Sequence, residues 1–206
     1  MKLNYCSNSK GGRRMKEIIE KGIEAILPVY IEDKGNCTII YTKEDDVILK
    51  KAIKSTIRNL CKYYHLDLKE SNKTYGNLLS INKQPPIPLT PNQVFVPIKV
   101  RKPIISHDGA YGYINIDSIE RISRSDSSPL ESTIHLKSKR TINAICRDIT
   151  IKNNINKGHL ARQLFNRYDV TAVREDGNYY EMQDSPATKR DIAMIYKEIM
   201  ELKRMK

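Results

Sequence analysis

Proline spacing constrains the fold of this 206-residue chain more than any other feature of its sequence. Five prolines fall within a short stretch: Pro85, Pro86, Pro88, Pro91 and Pro97. Because proline lacks a backbone N–H and its ring clashes with the preceding helical turn, no α-helix can cross this region. We expect an extended segment here, and Val94-Phe95-Val96 within it is typical of a strand.

Other segments also have the composition of strands separated by turns. Tyr111–Ile116 and Thr133–Leu136 are rich in strand-forming residues, and the serine-rich stretch Ser123–Ser132 lies between them. Nearer the start, Asp33-Lys34-Gly35-Asn36 is a turn between two apolar runs and predicts a hairpin. A further turn is predicted at Lys43–Asp46. The middle of the chain is therefore expected to be β-rich.

Two segments fit both a helix and a strand. Over Met15–Leu27, apolar residues match a helical face, but they also alternate after Lys21-Gly22 as they do in a hairpin. Over Val47–Leu60, the pattern favours a strand first, although its later apolar residues suit a helical face. The polar run between Asp67 and Gly76 predicts a loop.

The last third of the chain changes to helical patterns. Leu160 and Leu164 are one helical turn apart and predict a short helix over His159–Phe165. Ser185-Pro186 starts a second helix, at about residues 186–205, because serine caps a helix and proline suits its first position. The predicted fold class is therefore α+β, with a β-rich core of antiparallel strands and C-terminal helices.

The domain organisation follows from length and composition. A chain of 206 residues is long enough to bury a sizeable core, and we predict a single domain over residues 15–206. Residues 1–14 are predicted to form a flexible basic N-terminal arm. This arm contains Gly11-Gly12 and two arginines, and such arms can reach DNA phosphates.

The chain is strongly basic, with a formal net charge of +12 and a pI near 9.5. Such a surface attracts polyanions, and nucleic acid is a better match than an anionic membrane. Two compact basic clusters stand beside predicted strands, at Lys99–Lys102 and Lys137–Arg140. Together with two basic residues earlier in the chain, they supply the predicted DNA contacts: Arg58, Lys62, Lys99, Arg101, Lys102, Lys137, Lys139 and Arg140.

Membrane and secreted proteins are not indicated. No run of about 18 apolar residues suggests a membrane span, and the first ten residues lack the apolar run of a signal peptide, so we expect a cytoplasmic protein. The four cysteines are scattered without Cys-x-x-Cys pairing, which is typical of reduced, packed thiols.

Neither an active site nor a metal site is predicted. Cys61 and His65 have a spacing that zinc ligands use, but a structural zinc needs a second pair, and none stands at a short spacing. His107-Asp108 lacks a nucleophile motif, and before Gly109 it fits a polar turn. No phosphate-binding loop of the Gly-x-x-x-x-Gly-Lys type occurs. We therefore expect a binding protein without enzyme activity, metal or other cofactor.

The form of nucleic acid stays open from these residues alone. Tyr63-Tyr64, Tyr111 and Tyr113 can stack on unpaired bases, which favours non-specific binding of single-stranded DNA or RNA. Paired tyrosines on strands are more often half-buried packing residues, and this interpretation is the one we favour. An acidic protein is a third kind of partner, which evenly spread basic clusters would fit.

The block from Lys83 to His107 adds a resemblance to a known family. Its motifs stand at short, fixed separations: Lys83 before Pro85-Pro86-Ile87, then Pro91-Asn92-Gln93-Val94-Phe95, then Ile105-Ser106-His107. In this spacing the block resembles the centre of the competence transcription factor family, ComK. Similarities at Ala25–Pro28 and Cys61–Tyr64 extend the resemblance from about Glu17 to the end. For the segment Met15–Leu27, the resemblance favours a hairpin rather than a helix.

The resemblance implies a ComK-like transcriptional activator that binds double-stranded DNA. The family recognises paired A/T-rich boxes, mainly from the minor groove and with DNA bending. Its members act as homo-oligomers and promote the engagement of RNA polymerase. Arginine and lysine suit this mode because A/T tracts have a narrow, electronegative minor groove, in which hydrogen-bond coding is poor.

The resemblance also implies a further partner, a Clp-protease adaptor, but one segment of this chain departs from the family pattern. The family's best-known member carries an aromatic-Met-Leu-Tyr-Pro segment before its last helix, and the adaptor uses this segment. The corresponding stretch here is Tyr180–Pro186, in which two of the apolar anchors are polar. The sequence therefore does not favour control through this adaptor.

Overall fold

The computed structural model describes residues 4–5 and 11–172, apart from residues 107, 126, 127 and 129. The chain divides into two structural units, Met1–Tyr168 and Asp169–Lys206. The helix expected at about residues 186–205, the adaptor-related stretch from Tyr180 and the turn predicted at His107 lie outside the described residues. The single domain over residues 15–206 stays a prediction.

The described residues form ten strands, four α-helices and a short 3-10 helix at Ile116–Ser118. The strands are β1 (Asn4–Tyr5), β2 (Ile23–Ile31), β3 (Gly35–Thr42), β4 (Asp46–Leu49), β5 (Ile87–Thr90), β6 (Gln93–Lys99), β7 (Tyr111–Asn115), β8 (Ile119–Arg124), β9 (Ser132–Leu136) and β10 (Thr141–Ala144). The α-helices are α1 (Gly11–Glu20), α2 (Ile53–Tyr63), α3 (Leu68–Leu78) and α4 (Asp148–Ala172).

Within this part of the chain, the strands build two sheets. The larger has seven strands in the order β1-β4-β3-β2-β7-β6-β5, and the smaller has three in the order β10-β9-β8. All neighbours pair antiparallel except the two-residue β1, which is parallel to β4. The predicted α+β class, with a β-rich antiparallel core and a C-terminal helix, is confirmed.

The large sheet is buried on both faces. Along β2, Ala25 and Leu27 point into one hydrophobic core, and Ile26 between them points into the other. The first core packs the sheet against β9, β10 and the start of α4, while the second packs it against α1 and α2. Full burial of an isoleucine such as Ile26 contributes about 1.5–3 kcal/mol, so the two cores hold three layers together.

The hairpin and strand predictions are largely confirmed. The turn at Asp33–Asn36 joins β2 to β3, and Lys43–Asp46 turns the chain from β3 into β4. The proline-rich stretch is extended, as β5 and β6. Pro97 is tolerated within β6 because it lies where the outer edge of this strand is unpaired. Its carbonyl faces that edge and accepts from the Asn154 amide at 2.9 Å. The N–H group that proline lacks would point to the same side, so no hydrogen bond between strands is lost.

Both ambiguous segments divide into two elements. The hairpin favoured over Met15–Leu27 is wrong for its first half, because α1 runs to Glu20 and only the part after Lys21-Gly22 is a strand. Met15 and Ile18 make α1 amphipathic, and both are buried. Because α1 begins at Gly11, the last four residues that we expected in the arm are helical. Val47–Leu60 is a strand first, as predicted, and then enters α2.

The loop predicted between Asp67 and Gly76 is wrong, because α3 covers this stretch. The Asp67 carboxylate caps α3 by accepting from the backbone N–H groups of Lys69 and Glu70 at 2.7 and 3.0 Å. These bonds lower the pKa of Asp67. Ser71 and Tyr75, one helical turn apart, are buried, so a single narrow stripe positions this otherwise polar helix.

The short helix predicted over His159–Phe165 is part of a much longer one. α4 begins eleven residues earlier, at Asp148, and passes through Gly158 without interruption. A Cβ atom at Gly158 would lie 2.6 Å from Cγ1 of Val96, so the glycine lets α4 approach β6 closely rather than ending a helix.

Candidate nucleic-acid interface

The eight predicted contact residues lie in three separate places. Arg58 and Lys62 are exposed on the outer face of α2, whose inner face buries apolar residues against the large sheet. Lys99, Arg101 and Lys102 lie where β6 ends and the following loop begins. Lys137, Lys139 and Arg140 form the turn between β9 and β10.

The second and third groups lie near opposite ends of the large sheet. β2 and β6 both pair antiparallel with β7, so they run in the same direction. Lys99 is the last residue of β6, whereas Glu24, which pairs with Arg140, stands at the start of β2. The fold therefore does not bring the two basic clusters together into one surface.

The turn between β9 and β10 is rich in ion pairs. Arg140 lies 2.7 Å from Asp46 and 3.5 Å from Glu24, two buried carboxylates, and Lys139 lies 3.0 Å from Glu120. Lys137 borders a cavity of about 540 Å³ that Glu24 and Asp117 also line. These acidic neighbours reduce the positive potential that this turn presents to a polyanion.

The Arg101 guanidinium makes its contacts with other residues of the protein. Its Nε donates to the Gly109 carbonyl at 2.7 Å, and its Nη2 donates to Oδ1 of Asn36 at 2.7 Å. The same group lies 4.0 Å from the centre of the Tyr30 ring. Arg101 therefore holds the loop after β6, while its neighbour Lys102 is exposed.

A groove beside the outer edge of β6 collects lysines that the sequence keeps far apart. It has a volume of about 290 Å³ and lies between the segment Ile81–Pro86, the end of β6 and the first half of α4. Lys83, Lys99 and Lys157 line it, and we call it the lysine groove. Gln84 and Asn154 add amide groups to its walls.

No carboxylate lines the lysine groove within the described residues, and none there forms an ion pair with its three lysines. Burial raises the pKa of the Cys146 thiol, another wall residue, so this group adds no negative charge at neutral pH. Three uncompensated ammonium groups around one concavity suit a phosphate backbone.

Sequence patterns identified Lys99 but missed Lys83 and Lys157. Lys83 stands alone at the start of the proline block, outside the two compact basic clusters. Lys157 precedes the predicted short helix. Its position on α4 could have been predicted only from a helical pattern that continues through Asp148–Gly158, and the glycine in that stretch hides the continuity.

The tyrosines divide between packing and exposure. Burial raises the pKa of Tyr113 to about 12, and its hydroxyl donates to Oε1 of Gln84 at 2.9 Å. Tyr64 is half-buried and donates to Gln93, whereas Tyr63 is exposed. Tyr111 lies in the wall of the lysine groove, beside Lys99.

Nothing in the described part of the chain gathers three His, Cys, Asp or Glu side chains that could hold a metal ion. Cys61 is buried, which raises its pKa to about 11, while His65 is exposed beyond the end of α2. The described cysteines Cys37, Cys61 and Cys146 are free thiols. Over the same residues, no helix is long and apolar enough to cross a membrane.

The fold and the groove define a β-rich α+β protein with a cationic concavity on one side of its main sheet. A family model described as the ComK protein matches residues 15–168, which is most of the chain. The chain belongs to the ComK family, a family of competence transcription factors rather than enzymes. Comparisons with curated proteins and with solved structures found no match.

Proposed function

We propose that the protein is a DNA-binding transcriptional activator whose lysine groove contacts the phosphates of an A/T-rich duplex. The observation that carries this proposal is the convergence of Lys83, Lys99 and Lys157 around a groove with no carboxylate in its described lining. Family membership and the net charge of +12 support it. The three lysines would release counterions from the DNA, which makes binding strongly dependent on salt.

Recognition of A/T-rich boxes from the minor groove is the second part of the proposal. Lysines fix a protein on the backbone but carry no sequence information. Selectivity for A/T tracts then comes from the shape and potential of their narrow minor groove. Two copies on paired boxes, in the cytoplasm, would position RNA polymerase, and a symmetric homo-oligomer is the physical counterpart of repeated sites.

Binding of single-stranded DNA or RNA is the second candidate. The position of Tyr111 in the groove wall next to Lys99 favours it, because an aromatic ring beside cations is what an unpaired base stacks on.

A salt-titrated competition assay separates the two candidates. We expect an A/T-rich duplex to bind more tightly than a G/C-rich duplex or single-stranded DNA at each salt concentration. The slope of log K against log salt should approach about −0.9 for each phosphate contacted. Preference for the single strand would replace activation from duplex sites with the second candidate, and absence of binding by folded protein at low salt would refute both.

A further inference from the structure

The loop between β6 and β7, described at residues 100–106 and 108–110, carries two exposed isoleucines at its tip. Ile104 is 76% exposed and Ile105 is 66% exposed, more than any other large hydrophobic side chain in the described part of the chain. Exposed aliphatic side chains are common singly, whereas two adjacent ones on one loop are a candidate contact surface.

The base of this loop is fixed by backbone hydrogen bonds. The N–H groups of Val100 and Arg101 both donate to the Ala110 carbonyl, at 2.9 and 3.3 Å. The Arg101 side chain crosses the loop to the Gly109 carbonyl at 2.7 Å. These bonds close the loop on itself where it leaves the sheet.

The tip is braced from the hairpin between β2 and β3. Asp108 accepts from the Tyr30 hydroxyl at 2.6 Å and from the Asn36 amide at 2.8 Å. The Tyr30 oxygen in turn accepts from the backbone N–H of Ile104 at 2.9 Å. A polar network thus holds an apolar tip in place, so ordering it on binding costs little conformational entropy.

We propose that Ile104 and Ile105 form a wedge that enters the DNA minor groove and partly unstacks one base step. This inference rests on the proposed function and adds a mechanism of deformation to it. Isoleucine and proline are among the residues that architectural DNA-binding proteins insert between base pairs, and Pro103 precedes the pair here. A kink at A/T-rich steps then becomes part of the specificity.

The cations beside the tip fit this occupant, and the Asp108 carboxylate on the same loop is engaged by the Tyr30 hydroxyl and the Asn36 amide. Lys102 is exposed next to the wedge, and Lys99, at the root of the loop, belongs to the lysine groove. Cations on the flank of an apolar insertion can neutralise the phosphates on either side of the opened step. Through Lys99, the lysine groove therefore adjoins the root of the loop that carries the wedge.

A protein partner fits the tip less well. A stable protein interface buries about 800 Å² on each side, far more than two isoleucines offer, and its core is depleted in lysine. The tip has a size and a charged border that suit a single opened base step.

The test uses A/T-rich duplexes with 2-aminopurine at successive steps, because this base brightens when it is unstacked. Paired end labels report DNA bending by energy transfer. The variant is Ile104→Ala/Ile105→Ala in the full chain, and the control is Leu130→Ala, since Leu130 is 65% exposed in another loop. The fluorescence measurements use saturating protein at low salt, the affinities come from titrations at several salt concentrations, and circular dichroism confirms folding.

We expect wild-type protein and the Leu130→Ala control to brighten one step and bend the duplex. The double variant should lose most of both signals and on the order of tenfold in affinity, because less apolar surface is buried against the DNA. Its salt slope should stay close to that of wild type, because the three lysines of the lysine groove are unchanged.

Three results would overturn the wedge. The first is wild-type protein that binds the duplex yet unstacks no step, and the second is a double variant that bends and unstacks DNA as wild type does. The third is loss of self-association or of polymerase recruitment by the variant, with normal bending, which would identify the tip as a protein contact. Failure of wild-type protein to bind any duplex would instead refute the proposed function itself.

Discussion

At the scale of single residues, two arginines of this protein serve its structure. Arg140 stands between Glu24 and Asp46, whose side chains are only 3% and 7% exposed. Arg101 ties its loop to Asn36 and stacks on Tyr30. A guanidinium fits such sites because its planar fork makes several directed contacts at once.

Replacing Arg140 is predicted to destabilise the protein. The Arg140→Ala variant leaves two buried carboxylates without their cation, and we expect it to lose about 3 kcal/mol in free energy of unfolding, measured with urea. Lys139→Ala, next to it, removes an ion pair with the exposed Glu120 and should change stability little. Equal stability of wild type and Arg140→Ala would show that this pair is not structural.

At the scale of elements, α4 depends on one position without a side chain. Gly158 faces Val96 and Ile116, both buried, at a distance that leaves no room for a Cβ atom. The long helix therefore lies close enough to β6 for Asn154 to reach the Pro97 carbonyl. This approach also forms one wall of the lysine groove.

The variant Gly158→Ala tests this packing. Alanine favours a helix by about 1 kcal/mol, but overpacking against Val96 should outweigh this gain and leave a net loss of about 1–3 kcal/mol. Asn153→Ala, at an exposed position of α4, serves as control and should be neutral or stabilising in the same urea titrations. A Gly158→Ala protein as stable as its control would contradict the close approach.

Elements with local signals were predictable, and elements that depend on tertiary contacts were not. The turn at Asp33–Asn36 contains Gly35 in a left-handed conformation, a requirement that the sequence displays. α3 lacks a broad apolar face, since only Ser71 and Tyr75 are buried, so its polar composition predicted a loop. Its one local signal is the N-cap Asp67, which the polar run around it conceals.

At the scale of the whole molecule, the basic regions differ in how far nearby carboxylates compensate their positive charge. The turn at Lys137–Arg140 is paired with acids, whereas the lysine groove has no carboxylate in its described lining. Composition predicted a polyanion partner but not this difference. The lysine groove exists because the edge of β6 is open beyond β5, which lets Lys83, Lys99 and Lys157 line one concavity. This arrangement depends on the order of the strands, which local sequence patterns do not reveal.

The decisive measurement on the lysine groove is the salt dependence of duplex binding, and the variant to compare with wild type is Lys83→Gln/Lys99→Gln/Lys157→Gln. We predict weaker binding to an A/T-rich duplex and a salt slope reduced by about 0.9 for each phosphate that these lysines neutralise in the wild type. The control Lys16→Gln, on the exposed face of α1, should bind as wild type does. An unchanged affinity and slope in the folded triple variant would contradict the assignment of the lysine groove as the DNA-binding surface.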